Sequence, residues 1–182
     1  MGGCLALLAG TGLAAAQSEA AEKPVAEAPA ETAPQRLANG TRFGAWTLRC
    51  EAVAVNETAC VLSQRLLQRD GNRFLSELIV FPGPKGGDKD YIAARVPLGT
   101  YFPSGFVMRV GESEDRHEFV WQACDRERCE ALLELTPDLS DQMEAAGTAV
   151  VGYRPSITAN PLVFKVDTKG AKAGLDALKA AR

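Results

Sequence analysis

The chain has 182 residues, 46% of them hydrophobic, with 20 Lys and Arg against 23 Asp and Glu and a formal net charge of −3. That balance carries neither the basic footprint of a nucleic-acid binder nor a polybasic membrane patch. After residue 16 no run is long and apolar enough to form a transmembrane helix.

Leu5 to Ala16 (LALLAGTGLAAA) is apolar and ends in small side chains. Spanning a bilayer takes about 20 residues, so this shorter run reads as the h-region of a secretory signal peptide over residues 1–16. Ala14-Ala15-Ala16 before Gln17 supplies an A-x-A cleavage site. Met1-Gly2-Gly3 brings no Lys or Arg, and the missing basic n-region points to a translation start upstream. Gly-Gly-Cys raises the alternative of a lipoprotein cysteine at Cys4. A lipidated cysteine follows its h-region, however, and here the h-region follows the cysteine. Residues 17–40 are dominated by Ala, Glu and Pro, with Pro24, Pro29 and Pro34 and only Val25 and Leu37 as sizeable apolar side chains. Such a segment buries too little surface to offset its ordering entropy, which predicts a disordered tether. In a polyproline-like state, at about 3.1 Å per residue, it would reach on the order of 70 Å.

Residues 41–182 are long enough for one domain with a proper core. Strand patterns recur along them: Phe43 to Cys50, with Trp46 and Leu48 on one face and Thr47 and Arg49 on the other; Cys60 to Gln68; Phe74 to Phe81; Tyr91 to Val96; Phe106 to Val110; Glu118 to Cys124, with Phe119, Trp121 and Ala123 on one side; Cys129 to Leu135; Thr148 to Arg154; and Leu162 to Val166. Asp70-Gly71-Asn72 and Asn56-Glu57-Thr58 read as hairpin tips. Period-two patterning broken by Gly, Pro, Asn and Asp predicts an antiparallel all-β domain, a sandwich or a partly open barrel. Two helices join it. Thr136-Pro137-Asp138 supplies an N-cap, a first-turn proline and an acid for the dipole; Leu139, Met143 and Ala146 form a stripe, and Gly147 stops the helix. After Gly170, Leu175 and Leu178 are spaced to dock a C-terminal helix on the sheet.

Four cysteines fall in this domain, as Cys50/Cys60 and Cys124/Cys129, each pair bracketing a polar turn-forming segment. Behind an export signal they read as two disulfides; of three connectivities, pairing within each hairpin is the most economical. Neither pair is Cys-x-x-Cys, and the spacings do not suit the usual zinc ribbons, so redox and metal readings are weaker. Loops this short stabilise by about 2.7 and about 2.2 kcal/mol in the chain-entropy model.

A catalytic set is harder to assemble. His117, the sole histidine, sits at a strand start in phase with Phe119 and Trp121 and reads more simply as a strand-edge side chain than as a general base. No G-x-S-x-G elbow surrounds any serine. Glu112, Glu114 and Asp115 form an acidic loop without calcium-binding spacing. Pro82 to Lys89 is Gly-rich but lacks the form of a phosphate-binding loop. Trp46 and Trp121 read as core aromatics. The expectation is therefore no catalytic residue, no metal and no cofactor.

Several stretches together are similar to the invasion-associated locus B family. Arg42-Phe43-Gly44-Ala45-Trp46-Thr47-Leu48-Arg49-Cys50 followed by Cys60-Val61-Leu62-Ser63-Gln64 resembles its F-G-x-W-x-x-x-C and C-x-x-x-Q strands. Pro97-Leu98-Gly99-Thr100-Tyr101-Phe102-Pro103-Ser104-Gly105 resembles its P-x-G-x-x-x-P-x-G loop, and Cys124, Cys129, Gly170, Leu175 and Leu178 fall where the family has them. The resemblance covers roughly residues 42–180. It implies an exported protein of Gram-negative bacteria, chiefly alphaproteobacteria, with an immunoglobulin-like β-sandwich. It brings no established catalytic residues, and it ties host-cell invasion to a pathogenic member only. The resulting expectation is a non-enzymatic periplasmic or envelope-associated module, with an unidentified protein or envelope component as partner. The alternatives are an exported hydrolase using His117 or the acidic loop, and a thiol–disulfide accessory factor.

Overall fold

The computed structural model describes residues 37–69, 73–85 and 87–181. The expected signal peptide with Cys4, the expected tether up to residue 36 and the expected Asp70-Gly71-Asn72 turn lie outside the described residues.

Ten antiparallel strands and two helices make up the domain: β1 Arg42–Phe43, β2 Trp46–Ala54, β3 Glu57–Leu67, β4 Phe74–Pro82, β5 Asp90–Pro97, β6 Phe106–Val110, β7 His117–Cys124, β8 Arg128–Glu134, α1 Pro137–Ala146, β9 Thr148–Tyr153, β10 Leu162–Asp167 and α2 Ala171–Ala180. Hydrogen bonding links the strands in the order β1-β2-β3-β4-β5-β8-β7-β6-β9-β10. The all-β sandwich with one short and one C-terminal helix therefore stands. Its two layers are continuous through β7. The start of that strand pairs with β6, Phe119 opposite Phe106, while Val120 to Cys124 pair with β8.

Strand alternation builds the core. Trp46, Leu48, Leu62, Leu78, Val80, Ile92, Ala94 and Val96 are buried from one layer, and Phe106, Met108, Phe119, Val151 and Tyr153 join them in the same cluster. Phe106 stacks edge-on against Phe119 with ring centroids 5.0 Å apart. Helix α2 packs against β3 and β4, with Ala171, Leu175 and Leu178 entering the core. Its Gly174 lies so close to Leu62 that an added Cβ would sit 2.5 Å from Leu62 Cδ1.

The first helix begins and ends as its residues dictate. Thr136 Oγ1 accepts from the Leu139 N–H at 3.2 Å, and Gly147, at φ 70°, donates its N–H to the Met143 carbonyl. Leu139 and Met143 are buried, but Ala146 is exposed and Ser140 takes its place on the inner stripe.

Other departures follow from turns and bulges. Gly44, at φ 61°, splits the expected Phe43–Cys50 strand, because a positive φ lets the chain reverse in two residues. The β2–β3 tip is Val55-Asn56 rather than Asn56-Glu57-Thr58. Asn56 takes φ 62°, a conformation asparagine tolerates well, so Glu57 is already paired with Ala54. In β7 the register slips between Trp121 and Ala123, which breaks the alternation. Trp121 is thus half-buried rather than core: it stacks on Phe102 at 4.5 Å and donates Nε1–H to the Phe102 carbonyl at 3.1 Å, while Ala123 is exposed. Trp46 is fully buried, as expected.

Candidate functional site: an arginine-lined recess on the outer sheet face

The face of β2–β5 and β8 that points away from the core carries a recess of about 280 Å³. Period-two alternation puts Arg49 of β2, Ser63 and Arg65 of β3, Glu77 and Ile79 of β4, Arg95 of β5 and Arg128 of β8 there, because their sequence neighbours face inward. Register then aligns Arg65, Glu77, Arg95 and Glu130 directly opposite one another, one per strand, in a row of alternating charge.

Glu77 anchors the row. It is buried on a sheet face, and its carboxylate accepts from Ser63 Oγ at 2.6 Å and from Arg128 Nη1 at 3.1 Å. Arg95 donates Nε–H to Glu130 at 2.8 Å. The Arg65 and Arg128 guanidinium carbons lie 5.1 and 5.6 Å from the Phe74 ring centre, so one aromatic ring holds two cations in place. Arg49 and Arg65 are exposed, and among the described residues neither has a carboxylate within ion-pair distance. The lining holds four arginines against Glu51 and Glu77, and Glu130 and Glu127 at its margin pair with Arg95 and Arg128. Sequence reading placed Arg49 on an outward face but did not join it to the others. The signal was the outward phase of each arginine; the cross-strand register that gathers them is not local.

The cysteines come together in two places. Cys50 is directly opposite Cys60, with sulfurs 2.15 Å apart, and Cys124 is opposite Cys129 with sulfurs 2.12 Å apart. The second hairpin is closed by Asp125, whose Oδ1 accepts from the Glu127 and Arg128 N–H groups at 2.7 and 2.8 Å. Those two backbone bonds hold its carboxyl below the usual carboxylate range.

The residues weighed for catalysis stay apart from this recess and form no set. His117 pairs across to Met108 and is half-buried, with Nε2 buried and without a hydrogen-bond partner among the described residues. Glu112, Glu114 and Asp115 are exposed, and Asp115 accepts a 3.2 Å bond from Ser113 Oγ. Among the described residues no three His, Cys, Asp or Glu side chains gather in a metal-binding cluster. The Gly-rich connection before β5 is closed by a Gly83 N–H to Lys89 carbonyl bond, and beside it Lys179 is bound to Asp90.

The profile of the "Invasion associated locus B (IalB) protein" family matches residues 46–179, from the first core tryptophan to the last turn of α2. The chain belongs to the IalB family. Its fold is also that of the crystal structure of invasion associated protein b from Bartonella henselae. The TM-score is 0.63 at 18% sequence identity, and the match covers 77% of this chain and 94% of that one. No curated protein matches. The family match spans both cysteine pairs, the recess and α2, so these features lie within the family's own domain.

Proposed function

We propose that this IalB-family chain is an exported, non-enzymatic sandwich module of the Gram-negative cell envelope, periplasmic or surface-associated, that acts by binding. The observation that carries the reading is the cysteine arrangement: all four cysteines of the described domain sit opposite a partner at bonding distance. Disulfides persist in oxidising compartments and are rare in the cytosol. The h-region and A-x-A site ahead of Gln17 point the same way. Binding is supported by the preformed recess, on which Arg49 and Arg65 have no ion-pair partner among the described residues. A role at the host cell applies only if the chain comes from a pathogen.

A mass map of the mature protein purified from envelopes tests the reading. It is expected to begin at Gln17, to lack acylated Cys4 and to contain Cys50–Cys60 and Cys124–Cys129 bonds. A cytosolic protein with four free thiols would refute it. Gentle cross-linking of the full chain in envelopes is expected to enrich one specific partner. The hydrolase alternative fails if His117→Ala and Glu114→Ala leave the null-mutant phenotype fully complemented.

A further inference from the structure

We propose that the outer-face recess is an anion site that takes the phosphate group of a phosphate monoester. This deepens the reading of the chain as a binding module and rests on it. The supporting chemistry begins with uncommitted donors. Arg95 spends Nε–H on Glu130, and Arg128 spends its two terminal nitrogens on Glu77 and Glu127. Arg49 and Arg65, on the same recess, have no carboxylate within ion-pair distance among the described residues. Each therefore presents a full fork of N–H groups, the geometry that pairs bidentately with phosphate oxygens.

Preorganisation is the second argument. The Arg65 guanidinium is held over Phe74, and Arg128 is fixed between that ring and the buried Glu77 carboxylate. Less rotamer freedom is then lost on binding. Charge is the third. With Arg95 and Arg128 held by carboxylates, Arg49 and Arg65 are two cations without an ion-pair partner among the described residues, and a phosphate monoester carries about −1.5 to −2 at neutral pH, whereas a single carboxylate would neutralise half. Val61 and Ile79 give the recess an apolar flank against which the ester's carbon part can lie. The phosphate monoester has two sources, a small soluble ester or a lipid of the phosphatidic acid type, and both present the same terminal phosphate to the arginines.

The test uses the full disulfide-bonded chain. One arm titrates inorganic phosphate and glycerol phosphate by calorimetry, with sodium chloride at matched ionic strength as the blank. The other floats the protein with phosphatidic acid or phosphatidylcholine vesicles. Saturable binding of glycerol phosphate in solution assigns a soluble ester; binding confined to phosphatidic acid vesicles assigns a lipid headgroup. In either case Arg49→Gln and Arg65→Gln are each expected to weaken binding about tenfold, as loss of a charge-assisted pair does. Arg126→Gln, in the exposed turn outside the recess, is expected to change nothing. Unchanged melting temperatures establish that the variants fold. No saturable binding in either arm, binding reproduced by chloride, or wild-type affinity in both recess variants overturns the site. Those outcomes leave the envelope mass map untouched, so the site and the broader function fail separately.

Discussion

Gly170 and Gly40 allow two kinds of glycine requirement to be separated in one protein. Both have φ in the left-handed region, 86° and 89°. A Cβ at Gly40 would meet nothing within 4 Å, whereas one at Gly170 would lie 2.5 Å from the Phe43 carbonyl oxygen and 2.7 Å from its carbon. That obstacle is backbone from the β1–β2 turn and has no rotamer to change. Gly40→Ala therefore carries only the left-handed penalty, about 1–2 kcal/mol, less about 0.4–1 kcal/mol from the stiffer unfolded chain. Gly170→Ala adds the cost of forcing apart a packed contact, about 1–3 kcal/mol. Gly170 also stands where the chain leaves β10 and enters α2, and its N–H donates to Glu144 Oε2 at 3.0 Å, so displacement there disturbs the docking of both helices. Urea unfolding of the two variants with disulfides intact, compared at equal m-value, measures both. The expected order places Gly170→Ala below Gly40→Ala by more than about 1 kcal/mol. Equal losses would refute the claim that close approach of β1 and α2 holds this corner.

Three further outcomes follow from the same structure. Gly174→Ala should lose about 1–3 kcal/mol to the clash with Leu62, offset by about 1 kcal/mol of helix propensity, and Leu62→Val should recover part of the loss in a double-mutant cycle. Glu77→Gln weakens the acceptor for Ser63 and Arg128 on a buried site and should cost about 1.5–3 kcal/mol by denaturant unfolding, the lower end because Arg128 is 30% exposed and rehydrates. Burial pushes the Tyr153 hydroxyl up to about 12, with Arg73 opposing, while it donates to the Leu75 carbonyl at 2.7 Å. The folded value is raised, so the contribution is complete below the unfolded value of about 10 and is lost as pH rises to about 12. A plot of stability against pH should fall more steeply across that window for the wild type than for Tyr153→Phe; parallel curves would contradict it.

The periodicities were legible because they are local. The alternation of Phe106, Met108 and Val110 predicts an inward face, and all three are buried. Thr136, Pro137 and Gly147 bound α1 because capping satisfies backbone groups within a few residues of the cap. The paired spacing of the cysteines likewise needed no distant partner to make sense. By itself the sequence determined the fold class, both helices and the family to which the domain belongs.

What it left undecided lives between strands. A bulge at Trp121/Ala123 moves a tryptophan from the core to its half-buried edge, although the apolar alternation of the β7 sequence runs on, because β7 must leave one layer and join the other within eight residues. The row Arg65–Glu77–Arg95–Glu130 draws one residue from each of four strands spread over 66 positions of sequence (130 − 65 + 1). Each of those residues alone reads as an ordinary solvent-facing charge. Only the register of the folded sheet, set by burying the opposite face, brings the arginines around one buried carboxylate and makes the recess.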